Sequence, residues 1–94
     1  MEITIRRKRL KISKKRVENV LKNKEPELKS SYKYFIEVND KYFPVKQAIG
    51  ETLSISPMEF GTMQAYQILQ NLGFVIKKNR KWIQLFIKVF TYIY

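Results

Sequence analysis

The hydrophobic residues of this chain change their period twice, and this change constrains the fold more than any other feature of the sequence. From Val17 to Leu21 and again between Val45 and Leu72 the apolar residues recur at helical spacing, whereas from Tyr34 to Val38 they alternate with a period of two. Helical segments on both sides of a strand region are typical of the α+β class. The 94 residues suffice for one domain around a single core.

Local signals predict where the helices begin and end. Ser13 is a candidate N-cap for the first helix, and Pro44 sets the backbone for the start of the second. The third helix is predicted to begin after Thr62 as its cap and to continue to Leu72. Gly73 is suited to end that helix in the left-handed conformation.

Two hairpins are predicted around these helices. Asn39-Asp40 fits a two-residue loop, which pairs Ile36 with Phe43. A second hairpin is predicted from a strand over residues 74–76, a basic loop over 77–81 and a returning strand over 82–85.

This order of elements is that of a winged helix-turn-helix domain with three helices and β-hairpins. The sequence then divides into a basic N-terminal arm or edge strand over residues 1–12, a winged-helix-like core over 13–87 and an apolar tail over 88–94. The tail fits either a helix or a strand. In such a domain the third helix enters the major groove of DNA.

Charge is concentrated at the two ends of the sequence. Lys and Arg number 19 against 8 Asp and Glu, for a formal net charge of +11. One basic cluster spans residues 6–16 and the other spans 77–81. Like charges repel in a compact chain unless a polyanion accepts them, so we expect a nucleic-acid partner, with double-stranded DNA favoured. An anionic membrane surface or an acidic protein satisfies the same electrostatics.

The predicted DNA contacts fall in three groups. The third helix carries Gln64, Gln67 and Asn71 on one face, and such side chains pair with adenine; a neutral, hydrated surface is the open alternative. The basic loop and the N-terminal arm are expected to hold phosphates. The residues concerned are Arg6, Arg7, Lys8, Arg9, Thr62, Gln64, Gln67, Asn71, Lys77, Lys78, Arg80 and Lys81.

The centre of the chain resembles a known module. Residues 42–46, Tyr-Phe-Pro-Val-Lys, and residues 72–74, Leu-Gly-Phe, match a small Tyr-x-Pro-Val-Lys … Leu-Gly-Phe module associated with restriction-type nucleases and other DNA-modification or defence proteins. The similarity covers residues 33–76. It implies a compact DNA-associated adaptor in which Lys46 is a further contact. The resemblance does not extend to a nuclease part, so no catalytic role is carried over.

The composition argues against an enzyme. The chain has no Cys and no His, which excludes thiol nucleophiles, imidazole catalysis and zinc sites built from these residues. Glu37 and Asp40 fit the chemistry of a strand and its turn better than a metal site. We therefore expect a non-enzymatic protein without metal or cofactor.

Two other functions fit parts of the sequence. A protein-binding adaptor or inhibitor of a host defence complex would dock through the aromatic tail, which would alternatively pair two copies into a homodimer or complete the protein's own core. A ribbon-helix-helix repressor that reads DNA with residues 3–7 explains only the first thirty residues.

The sequence shows no secretory leader and no apolar run of the roughly 20 residues that a spanning helix needs. We expect an intracellular, cytoplasmic protein. Its richness in Lys, Ile and Tyr fits an AT-rich genome, such as that of a virus or mobile element.

Overall fold

A computed structural model describes residues 1–27 and 32–78 of the chain. In chain order the elements are β1 (Glu2–Ile5), β2 (Lys8–Lys11), α1 (Lys14–Leu21), β3 (Tyr34–Val38), β4 (Lys41–Pro44), α2 (Val45–Leu53), a 3-10 helix (Pro57–Glu59), α3 (Thr62–Asn71) and β5 (Lys77–Lys78). The described residues thus form a small α+β domain with three α-helices and two antiparallel sheets.

The N-terminal residues form a β-hairpin, here called the N-terminal hairpin (residues 2–11), rather than a single edge strand or an arm. Strands β1 and β2 pair antiparallel, with Ile3 opposite Leu10 and Ile5 opposite Lys8. Ile5 is buried in the core, while Ile3 and Leu10 pack against its margin. The prediction missed β2 because Arg6-Arg7, which forms the turn, lacks the Asn, Asp or Gly that marks such turns.

The second sheet has the strand order β4-β3-β5. The predicted hairpin is confirmed: Asn39 and Asp40 adopt positive φ angles of 52° and 65°, and Ile36 lies opposite Phe43. Positive φ at both positions defines a type I′ turn, whose twist matches that of the flanking strands.

The strand predicted over residues 74–76 is wrong, as is the loop assignment of Lys77 and Lys78. The backbone N–H of Phe74 is instead bonded to the Leu69 carbonyl at 3.1 Å, and that of Gly73 to the Gln70 carbonyl at 3.0 Å. This pair of bonds is a Schellman motif, with Gly73 at φ 101° as predicted. Because the motif occupies Phe74, pairing with β3 begins only at Lys77.

The starts of α1 and α3 differ in how they are capped. Ser13 caps α1 as predicted, since its side chain accepts a hydrogen bond from the Arg16 N–H at 3.1 Å. The prediction of Thr62 as the cap of α3 is wrong, because the N-cap is Gly61 and Thr62 is the first helical residue. Gly61 provides no side-chain bond, so α3 begins with a weaker cap than α1.

The core lies where the three helices meet the inner faces of both sheets. It contains apolar residues from every element except β2, the 3-10 helix and β5, including Ile5, Val17, Leu21, Ile36, Phe43, Ile49, Ala65 and Leu69. In the described part of the chain no helix is both long and apolar enough to cross a membrane.

Candidate nucleic-acid interface

The N-terminal hairpin lies beside α3. Met1 and Ile12 exchange both backbone hydrogen bonds at the base of the hairpin, at 2.8 and 2.9 Å. Bonded and non-bonded pairs alternate along an antiparallel ladder, so the Thr4 carbonyl points away from β2. The Gln64 side chain donates to that carbonyl at 3.4 Å. The first turn of α3 therefore covers part of the open edge of β1.

The tip of the hairpin is anchored by Arg6. Its guanidinium donates to the Glu59 carbonyl at 3.2 Å and to the Met58 carbonyl at 3.4 Å, at the end of the 3-10 helix. These carbonyls have no partner within so short a helix, which makes them good acceptors for a cation. Arg6, predicted to contact DNA, is thus already engaged within the protein and positions the turn next to α3.

The remaining cations of the hairpin face outward or lie at its tip. Thr4 opposite Arg9 and Glu2 opposite Lys11 share the face turned away from the core, and Lys8 follows the turn. We call Arg7, Lys8, Arg9 and Lys11 the hairpin cations. All four are exposed, and among the residues that the structure describes none of their side chains forms a hydrogen bond or ion pair.

The base of the hairpin continues directly into the basic start of α1. Arg16 donates to the Lys11 carbonyl at 2.8 Å, which fixes the direction of the helix relative to β2. The Lys14 ammonium lies 5.3 Å from the centre of the Phe74 ring, just beyond the end of α3. The tip of the hairpin therefore lies near the start of α3, and the base of the hairpin lies toward the end of α3.

Three lysines elsewhere in the described residues have acidic neighbours. Lys24 lies 3.2 Å from Glu51, and Lys41 lies 2.8 Å from Glu25. Lys77, which was predicted to lie in the basic loop, is 3.8 Å from the Glu37 carboxylate and 5.4 Å from the centre of the Tyr42 ring. The charge of the predicted basic loop is therefore partly offset at Lys77. Among the hairpin cations only Lys11 lies opposite an acidic residue, Glu2, whereas Lys8 and Arg9 lie opposite uncharged residues.

The predicted polar face of α3 is at the surface. Gln64, Gln67 and Asn71, called the polar strip, are all exposed, and their spacing places them on one side of the helix. Gln64 is the member closest to the hairpin, through its bond to Thr4. Thr62 is half-buried at the start of the same helix. The structure thus brings the polar strip and the N-terminal hairpin together.

Lys46, which the family resemblance implies as a DNA contact, lies in a different surface region from the N-terminal hairpin. Its ammonium is 5.6 Å from the centre of the Phe60 ring, and it lines a depression together with Glu27, Tyr32 and Glu51. Partial burial, followed by the hydrogen bond to Glu27 and its charge, raises the pKa of the Tyr32 phenol above 10.0. The depression is bordered by two carboxylates, so its chemistry differs from that of the hairpin.

Several predicted contacts and segments lie outside the described residues. These are Arg80, Lys81, the returning strand over 82–85 and the tail over 88–94. Lys78 is described, and it is exposed in β5 opposite Tyr34.

The sequence analysis counted Lys11 in the basic cluster 6–16 but missed the second strand, which places it on the surface of a hairpin. The signal that would have found it is the alternation of Ile3 and Ile5 before the turn with Leu10 and Ile12 after it, which predicts two paired strands. In that pairing Lys11 lies on the outer face. Comparison with models of protein families, with curated proteins and with solved structures found no match for this chain.

Proposed function

We propose that this protein binds double-stranded DNA, as a small transcriptional regulator or accessory factor of the winged helix-turn-helix type. The observation that carries the proposal is the exposed, unpaired state of the hairpin cations within the described residues, beside the polar strip of α3. Closely spaced positive charges that form no ion pair within the protein gain most from a partner that brings phosphates.

In this proposal the two neighbouring surfaces have different tasks. The helices α2 and α3, joined by the 3-10 helix, act as the helix-turn-helix, and α3 lies in the major groove. Gln67 and Asn71 face the base edges, where amide side chains pair with adenine. The hairpin cations hold the phosphates beside the groove and so fix the position of α3. Lys46 and Lys78 are secondary contacts in the same proposal.

The test is the salt dependence of binding to a duplex of random sequence. Replacing Lys8, Arg9 and Lys11 by glutamine is expected to reduce the slope of log affinity against log salt by about 0.9 for each phosphate that the variant no longer neutralises. The matched control replaces Lys22, Lys24 and Lys41 by glutamine; these lysines surround the other end of α1 and the Asn39-Asp40 turn.

Both variants lose three positive charges, so a general effect of net charge is the same in each. The proposal requires the hairpin variant to lose much more of the slope than the control. Equal slopes for the two variants would contradict it, and so would the absence of duplex binding by the unmodified protein at low salt.

A further inference from the structure

The Arg6-Arg7 turn has a backbone geometry that its residues disfavour. Both arginines have positive φ, 49° at Arg6 and 67° at Arg7, in a two-residue loop that is a type I′ turn. A side chain with a Cβ is strained in this region, and Asn, Asp or Gly is the usual occupant. The same protein uses the favoured residues in its other I′ turn, at Asn39-Asp40.

Hydrogen bonds account for the strained backbone of one of the two arginines in this turn. Arg6 donates to the carbonyls of Met58 and Glu59, so its side chain compensates for the strain of its backbone. Arg7 is exposed, and within residues 1–27 and 32–78 its side chain donates to no group. The strained backbone at Arg7 is therefore without a compensating contact in the described part of the protein.

The position of Arg7 separates it from the other hairpin cations. Arg9 lies on the outer face of β2 and Lys11 lies on the outer face two residues further along, where cations suit a phosphate chain, whereas Lys8, opposite Ile5, lies on the other face next to the turn. Arg7 instead lies in the turn at the apex of the two-stranded ribbon. Arg6 holds the apex against the 3-10 helix, so Arg7 is presented from a fixed position.

Resting on the proposed function, we propose that Arg7 enters the minor groove of A·T-rich DNA while its neighbours hold the adjacent phosphates. The minor groove is about 6 Å wide, too narrow for a helix but open to a single guanidinium from a turn. A·T-rich tracts narrow it further and increase its negative potential, which attracts arginine. The arginine at the apex then makes the protein prefer DNA with a narrow minor groove, which Asn or Gly at the same position would not do.

The experiment compares Arg7→Gly, Arg7→Lys and the control Lys22→Gln on two duplexes of equal length, one with a central A·T tract and one with a G·C tract. The unmodified protein is expected to prefer the A·T duplex at least about fivefold. Arg7→Gly should remove most of that preference without lowering the melting temperature, because glycine adopts positive φ without strain. Arg7→Lys should keep the salt slope but lose part of the preference.

A competition with netropsin and the comparison of Arg7→Gly on the two duplexes distinguish a minor-groove role of Arg7 from DNA binding in general. The minor-groove ligand netropsin should weaken binding of the unmodified protein to the A·T duplex more than binding of Arg7→Gly, and Lys22→Gln should behave as the unmodified protein.

Since the polar strip also favours adenine, the decisive quantity is the change in preference caused by replacing Arg7. If Arg7→Gly binds both duplexes more weakly by the same factor, Arg7 is a phosphate contact and this inference is overturned while the proposed function stands. If the unmodified protein binds neither duplex, the proposed function itself fails.

Discussion

At the scale of single residues, buried Gln47 connects helix α2 to the segment that follows α1. Its exposed fraction is 7%. Its side-chain oxygen accepts from the Glu27 N–H at 2.7 Å, and its nitrogen donates to the Glu25 carbonyl at 2.9 Å. The two bonds give polar backbone groups on both sides of Pro26 the partners that a regular element would provide.

Replacing Gln47 by alanine should therefore destabilise the domain. Both backbone groups lose their partner in a partly buried place, and we expect the free energy of unfolding to fall by about 2 kcal/mol. Urea denaturation measures the change. The control is Gln67→Ala on the exposed side of α3, which should change stability by less than about 0.5 kcal/mol. A loss at Gln47 no larger than at Gln67 would show that these bonds contribute little to stability.

The residue scale is also where the sequence predicted most. Ser13 and Gly73 act through local backbone geometry, so their types alone predicted a helix start and a helix end. Asn39-Asp40 likewise predicted its turn and register. Gln47 gave no such signal, because an amide that bonds to distant backbone cannot be distinguished in sequence from an exposed one.

At the scale of elements, the N-terminal hairpin depends on contacts that are remote in sequence. Arg6 reaches residues more than 50 positions away, and Gln64 does the same from α3 toward Thr4. Its arginine turn is poor by local criteria, so the hairpin is stabilised by its apolar inner face and these links. This explains why the sequence suggested a strand or arm there but not the hairpin.

Removing the anchor should loosen the hairpin. We expect Arg6→Gln to lower the free energy of unfolding by about 1 kcal/mol, since an exposed charged hydrogen bond contributes less than a buried one. The amide protons of β1 and β2 should also exchange faster with solvent. Arg7→Gln is the matched control, because it removes the same charge from the same turn but no contact among the described residues. Similar exchange rates in the two variants would refute the anchoring role of Arg6.

The order of the helices and strands was predicted less completely than the residues at which individual helices and turns begin or end. The helices and the β3-β4 hairpin follow from hydrophobic period and turn residues, whereas β5 depends on where the Schellman motif releases the chain toward β3. The prediction began this strand three residues too early because Phe74, Val75 and Ile76 have high strand propensity. Backbone hydrogen bonds to α3 outweigh that propensity at Phe74.

At the scale of the whole molecule, the distribution of positive charge distinguishes one surface from the rest. The acidic residues Glu25, Glu37 and Glu51 form ion pairs with lysines, while the hairpin cations form no ion pair in the described residues, although Glu2 lies opposite Lys11. Net charge alone predicted a polyanionic partner, and the clustering of cations without ion pairs in the N-terminal hairpin is the reason that we propose this surface for it. This pairing depends on tertiary contacts, so the sequence could not show which cations form ion pairs, and the polyanionic partner stays a prediction.

The most direct test of this surface is to follow the backbone amide resonances of the protein while a short DNA duplex is added. We expect the largest shifts in residues 4–11 and along the polar strip of α3, with little change around Lys22 and the Asn39-Asp40 turn. The reverse pattern, with shifts at that turn and an unperturbed N-terminal hairpin, would contradict the proposed interface.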